Sequence, residues 1–173
     1  FLDQVIDSGI KVLKIEGRGR AADYVATVIK TYREAIDSYY EGTFTKEKIN
    51  TWMEALATVY NRGFWSGYYL GQKLGEWSDN PGSNATQKKV YVGKGMHYFP
   101  KSSIAEFKIE AYDIKKGDKI LITGPSTGAQ ELILEDFFVN DTTSEKATKG
   151  DSCTLKVPFR IRLSDKMYKI VEN

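Results

Sequence analysis

The sequence is poor in the residues that metal and redox chemistry need. One cysteine in 173 residues makes no intrachain disulfide, and neither it nor the lone histidine can by itself hold a zinc ion or an iron–sulfur cluster. No uninterrupted apolar run approaches the ~20 residues of a membrane helix, which excludes a spanning helix. Charge of one sign is also lacking: 25 basic against 23 acidic residues leave +2, too little for a polyanion-binding tail. No Ser-His-Asp elbow, Cys–His pair or phosphate loop is present. No charged leader with a small-residue cleavage site precedes an apolar stretch, so a cytoplasmic location is expected. The chain starts at Phe1, which points to a piece of a longer protein. What is there is ordinary for a soluble protein: 41% hydrophobic and 28% charged residues, enough for one or two small domains.

The first half has helical periodicity. Residues 2–8 form a short amphipathic turn or two, stopped by Gly9. Residues 10–15 (IKVLKI) have strand character. From Ala21 to about Tyr39, Val25, Val28, Ile29, Tyr32 and Ile36 recur at the spacing of one helix face, and Gly42 ends that helix. Thr45 caps a second helix carrying Ile49, Trp52, Met53, Leu56, Val59 and Tyr60, closed by Gly63. Two such helices with a short turn pack as a hairpin. Residues 75–87, rich in Gly, Ser, Asn and Pro, are the expected linker.

The second half switches to period two. Val90 and Val92, then Ala105, Phe107 and Ile109, alternate with polar neighbours. Cys153, Leu155, Val157, Phe159, Ile161 and Leu163 share one parity, with Pro158 marking an edge or bend. Lys119–Thr123 and Glu131–Val139 supply two further strands around Gly124-Pro125 and Gly128. Many short strands without helices predict a small antiparallel barrel or sandwich. Lys116-Gly117-Asp118 and Lys149-Gly150-Asp151 each precede a strand, which is turn chemistry. Residues 1–85 carry ten basic and eleven acidic groups; residues 86–173 carry fifteen and twelve. The second half is therefore mildly basic, which permits RNA contact; Lys88, Lys89, Arg160 and Arg162 are its candidate contacts.

Chemistry has few places to sit. Gly17-Arg18-Gly19-Arg20-Ala21-Ala22 fits a dinucleotide fingerprint, but a second helix follows where that fold needs a parallel strand. What survives is an anion site at a helix start flanked by Arg18 and Arg20. Glu16 and Arg18 end the first strand, where they either face a substrate or close a corner as an ion pair. Asn61 to Tyr69 is dense in aromatics and Gly: a stacking platform with a cation, or, as favoured here, a tight aromatic corner packing the helical hairpin on the barrel. His97 reads as structural and Cys153 as an inert buried thiol. Asn84-Ala85-Thr86 and Asn140-Asp141-Thr142 match the glycosylation pattern.

Val12 to Arg18, continuing into Asp23 to Asp37, resembles the region after the barrel signature of the collagenase-like peptidase family (peptidase family U, number 32). Asn61-Arg62-Gly63-Phe64 with Ser66-Gly67-Tyr68 resembles that family's next marker. Tyr91-Val92-Gly93-Lys94, Gly117 to Pro125, Lys149-Gly150-Asp151 and Ser164 to Lys169 resemble its C-terminal barrel, which is similar to the second domain of translation-factor GTPases. Where the family has Met and Lys, this chain has Gly19 and Arg20.

The resemblance implies an α+β chain. Residues 1–74 would be a leftover barrel strand plus a helical hairpin, and residues 88–173 a small antiparallel β-barrel. It implies a parent with an N-terminal α/β barrel as partner, whose cysteines, upstream, hold an iron–sulfur cluster in some relatives. Those relatives hydroxylate RNA bases or a quinone; others are named proteases. It carries Glu16 and Arg18 to the parent's active-site mouth, with Arg62 in second rank, and no metal or cofactor to this chain. The function expected is an accessory, substrate-positioning region acting on peptide, not catalytic alone. The alternatives are RNA modification with the barrel on RNA, and a protein-binding module.

Overall fold

The computed structural model describes residues 1–69, 71 and 81–173. They form two compact units, Phe1–Thr86 with Asn173, and Gln87–Glu172. Residues 75–80 of the expected linker lie outside the described residues. Its end is tied down within the first unit, where the Asn84 and Thr86 amides donate to the carbonyls of Asn61 and Ala57 at 2.8 and 2.9 Å.

The first unit holds α1 (Leu2–Asp7), α2 (Ala22–Tyr40) and α3 (Lys46–Ala57). The Tyr39 hydroxyl donates to Asp7, tying α2 to α1. The turn between α2 and α3 is a Schellman cap. Gly42 sits at φ +70, its amide donates to Tyr39 and that of Thr43 to Ser38, so the last carbonyls of α2 are used. Thr45 caps α3 through the Lys48 amide. The helix stops at Ala57, earlier than expected. Asn61 takes over the exit, its amide group bonding the Val59 carbonyl at 3.0 Å and its oxygen the Gly63 amide at 3.1 Å.

Two expectations fail here. The buried stripe of α2 is Val28, Thr31, Ala35 and Ser38, while Ile29 is 52% exposed. Hydropathy does not register that Ser38 is satisfied by Thr43 at 2.9 Å and by the Lys48 ammonium at 3.1 Å. Residues 10–15 form no strand, and Val12 is 82% exposed. The reason is accounting: a strand needs a neighbour for its amides and carbonyls, and the described residues of this unit contain no other strand.

The second unit is antiparallel throughout. Its strands are β1 (Gln87–Phe99), β2 (Ile104–Ile109), β3 (Ile114–Lys115), β4 (Lys119–Gly124), β5 (Gly128–Ile133), β6 (Phe137–Val139), β7 (Thr142–Ser144), β8 (Lys146–Ala147), β9 (Ser152–Lys156) and β10 (Lys166–Glu172). Eight form one sheet in the order β5-β4-β10-β1-β2-β9-β6-β7, and β3 pairs with β8. Long β1 serves two partners, β10 with its first half and β2 with its second, and its register shifts near Val92 and near Met96. Such bulges bend and twist a strand. Asn140 and Asp141, both at positive φ, make the tight β6–β7 hairpin turn.

The core of the sheet unit follows the alternation: Val92, Ala105, Phe107, Ile109, Cys153, Leu155, Val157 and Ile161 are all buried. Leu163, on the same parity, is instead 73% exposed. Strand β9 ends before Pro158, and a turn at residues 162–165 breaks the phase.

That turn belongs to a set of three. In 115–118, 148–151 and 162–165 the aspartate side chain accepts the amide three residues back, at 2.8, 2.7 and 2.8 Å. The aspartate's own amide returns a bond to the same residue's carbonyl. The third position is left-handed in each: Gly117, Gly150 and Ser164. Strands β4, β9 and β10 start at the next residue. Only the first two turns carry the Lys-Gly-Asp signature; the third, Arg162-Leu163-Ser164-Asp165, was not legible as one. Asp165 is buried and also accepts from Thr127 at 2.5 Å; a Cβ on Gly124 would lie 1.8 Å from its carboxylate, so only glycine fits there.

Opposite effects are expected at neighbouring positions. Asp165→Ala strands the Arg162 amide and the Thr127 hydroxyl and costs about 1–3 kcal/mol. Ser164→Gly removes a left-handed non-glycine residue and gains up to about 1 kcal/mol. Urea unfolding of the two variants reads both signs; equal losses would refute this account of the turn. Asp151 is held below the usual carboxylate range, first by the Thr148 amide. A lowered native pKa stabilises above the unfolded value, and that contribution disappears as pH falls through the native one. Asp151→Asn is therefore expected to flatten the acid limb of the stability profile.

Candidate functional site

The segment before α2 turns tightly. The Arg20 amide donates to the Gly17 carbonyl at 2.9 Å, with Gly19 at φ +73. Glu16 closes the start of this turn by accepting the Arg18 amide at 2.7 Å. It is thus a backbone bond and not a Glu–Arg ion pair that shapes the corner. Ala21 begins α2 without a side-chain cap.

Arg20 is swung onto the end of α3's exit. Its guanidinium carbon stands 3.9 Å from the centre of the Tyr60 ring and 5.8 Å from that of Tyr24. The Nε–H of Arg62 donates to the Tyr60 hydroxyl at 2.9 Å. Two guanidiniums therefore converge on one phenol, which is part-buried, and among the described residues neither is ion-paired with a carboxylate. The Arg62 hydrogen bond, assisted by Arg20, holds the Tyr60 phenol below its usual range. Such a phenol gives up its proton more readily, and the remaining N–H donors of two guanidiniums suit an oxyanion.

The predicted candidates are only partly brought together. Arg62 joins this cluster; among the described residues no contact joins Glu16 or the Arg18 side chain to it. Tyr60, counted as one more apolar helix position, was missed as a site, because nothing in a sequence links Arg20 to a ring forty residues away. Phe64, Trp65, Tyr68 and Tyr69 are all exposed, Tyr68 by 62%, with Trp65 and Tyr68 edge to face at 4.8 Å. Tyr69 also faces the Phe1 ring, with centroids 6.1 Å apart.

In the sheet unit the four candidate cations fall into two pairs. Lys88 and Lys89 sit at the start of β1, and Lys89 stands over the Tyr168 ring at 5.4 Å. Arg160 and Arg162 flank buried Ile161, beside Gly95, whose amide bonds Asp165 at 2.7 Å and whose carbonyl accepts from Ser164 at 2.9 Å. Gly95 is seven residues from Lys88, so roughly 20 Å of strand separates the pairs. Near β1, Tyr91 donates to Glu110 at 2.5 Å and Lys94 approaches it at 2.9 Å; burial and this bond push Tyr91 up to about 12. His97 stacks on Phe99 with centroids 4.4 Å apart. Asn140 holds a turn and accepts the Ser152 amide at 3.4 Å. Cys153 lies in the core, and burial raises its thiol to about 12.

Residues 1–79 match the family model of peptidase family U32. Over 98% of its length the chain is 50% identical to a collagenase of Porphyromonas gingivalis, of which it spans 41%. The chain belongs to peptidase family U32. This U32 chain is also 34% identical to an uncharacterized protease of Methanocaldococcus jannaschii, over 99% of the chain and 41% of that protein. It is 30% identical to tRNA hydroxylation protein P1 of Bacillus subtilis, over 72% of the chain and 29% of that protein. The C-terminal domain of a U32 peptidase of Geobacillus thermoleovorans superposes on 45% of the chain and 96% of that domain, at 19% identity and a TM-score of 0.43. The chain thus spans less than half the length of these curated relatives. The residues present do not fit the iron–sulfur cluster that the resemblance places upstream: the one thiol of this U32 chain is sealed in the sheet core.

Alkaline titration followed by tyrosinate absorbance tests the cluster. The difference between the chain and Tyr60→Phe is expected to show a phenol ionising below the ordinary tyrosine value of about 10. Arg62→Gln is expected to move that transition upward, because removing a cation disfavours phenolate; an unmoved transition refutes the coupling.

Proposed function

We propose that this chain is a substrate-positioning region of a U32-family protein and is not catalytic by itself. One observation carries this: the groups best suited to covalent chemistry are committed to structure. The Cys153 thiol is buried and raised to about 12, so thiolate is scarce near neutral pH. The buried carboxylates of Asp118 and Asp165 hold turns, and Asp118 also pairs with Lys169 at 2.8 Å. The partner proposed is the rest of the family's α/β barrel; exposed Val12, Leu13, Ile29 and Tyr32 support it, as apolar groups that such a neighbour would cover. The sheet is proposed to curl as the small β-barrel of translation factors, supported by the two bulges of β1. The chain incubated with gelatin and with a collagen peptide is expected to give no cleavage above buffer. Turnover that survives repurification and is lost in a variant of this chain would overturn the proposal.

A second function, contact with RNA as in tRNA modification, is favoured by a specific arrangement. Lys101, Lys156, Arg160, Arg162 and Lys166 are exposed and, among the described residues, in no ion pair. Val157 bonds the Ser103 carbonyl at 2.9 Å and Ser164 bonds Gly95, so these cations share the end of the sheet where β1 turns into β2. The tRNA hydroxylation relative points the same way. Binding of a labelled tRNA is expected to weaken steeply with salt, with a shallower salt slope for Arg160→Ala/Arg162→Ala. Absence of binding at low salt would remove this function.

A further inference from the structure

We propose that Arg20, Tyr60 and Arg62, with the exposed rings that follow them, form a binding site for a nucleoside phosphate unit. The inference deepens the RNA function above, on which it rests, but places the contact in the helical unit and not on the cationic end of the sheet.

The anion half of the site comes from hydrogen-bond accounting. Arg20 stands over the Tyr60 ring and helps to hold its phenol, and a guanidinium has five N–H donors, more than that contact uses. Arg62 spends its Nε–H on the phenol oxygen and has its terminal amino groups left over. Two guanidiniums thus meet at one phenol, and no described carboxylate neutralises them. Phosphate accepts from several donors at once with charge assistance, and two guanidiniums around a hydroxyl supply that donor set.

The ring half comes from exposure. Trp65 is three residues beyond Arg62, at most about 10 Å of chain. Trp65 and Tyr68 stand edge to face, and both are exposed, as are Phe64 and Tyr69. Gly63 and Gly67, both at positive φ, turn the segment without side-chain bulk. A cation pair next to exposed rings matches a ligand with an anion at one end and a flat ring at the other. A nucleotide has that form, and base–aromatic stacking tolerates any base.

Calorimetric titration of the 173-residue chain with uridine 5′-monophosphate, uridine, inorganic phosphate and N-acetylphenylalanine tests this, followed by a single-stranded oligouridylate. Uridine monophosphate is expected to bind tighter than uridine or phosphate alone. Arg20→Gln and Arg62→Gln are each expected to weaken it about tenfold, the loss of one charge-assisted bond. Replacing Trp65 and Tyr68 together by Ala is expected to weaken the nucleotide about tenfold and leave inorganic phosphate unchanged. Circular dichroism melts verify that each variant is folded, and Arg62→Lys, retaining charge, is the substitute if Arg62→Gln is not. Tighter binding of the oligouridylate than of the mononucleotide assigns the site to an RNA strand; equal binding assigns it to a free nucleotide, and both support the proposal.

Three results overturn it: no nucleotide binding at millimolar concentration, binding indifferent to Arg20 and Arg62, or N-acetylphenylalanine binding tighter than the nucleotide, which would give the site to a peptide carboxylate. RNA that binds through Arg160 and Arg162 with Arg20 and Arg62 irrelevant would sink this site while sparing the RNA function.

Discussion

The sheet unit depends on a carboxylate that catches the amide three residues behind it. Residues 115–118, 148–151 and 162–165 each close in this way, and each delivers the chain into a strand, β4, β9 or β10. A strand start carries amides with no ladder partner yet, and burying one without a bond is expensive. The aspartate supplies the bond from within the turn, so the register of the next strand is set locally. Strands β4 and β10 are neighbours, and the turn before β10 reaches Thr127 in the β4–β5 connection through Asp165. Local turn chemistry and sheet order are thus coupled at one buried carboxylate.

The two units differ in how they are held. The sheet unit closes a continuous core from Val92 to Met167, with Phe107 and Phe137 at its centre. The helical unit buries little: Val28, Thr31, Ala35 and Ser38 on α2, and no residue of α3 completely. Its helices depend more on their ends, the Schellman cap at Gly42 and the Thr45 cap, than on a large core. The proposed nucleotide site lies in the same unit for a related reason. A region with few apolar contacts leaves Arg20, Arg62 and the rings of residues 64–69 at the surface.

Much of this was legible before the fold was known. The two helices, the Gly42 stop and Thr45 cap between them, and the alternating strands followed from periodicity and turn residues, because those signals are local; periodicity carries the second helix on to Tyr60, whereas it ends at Ala57. Errors came where a local pattern needed a distant partner. The segment at 10–15 has a strand's composition, but composition supplies no neighbouring ladder. Leu163 has a core residue's parity, but the aspartate turn resets the phase. The α2 face was drawn toward Ile29 and Tyr32, because hydropathy cannot register two hydroxyl-bearing residues buried with partners. Of the candidate site, Arg62 was singled out from its marker segment, while Tyr60 was hidden by its helical spacing.

The scarcity of cysteine and histidine already excluded a metal centre built on those two residue types alone within these 173 residues, since one thiol and one imidazole supply too few such ligands whatever the fold. The sequence by itself also determined where helices give way to strands, because period and turn chemistry act within a few residues. Only the tertiary structure decided that the single thiol is sealed in the core, where burial raises its pKa. Only it brought Arg20 and Arg62 together on Tyr60, and left the rings of Phe64, Trp65, Tyr68 and Tyr69 exposed. Each of those outcomes depends on contacts between residues far apart in the chain, and burial and electrostatic coupling are properties of such contacts.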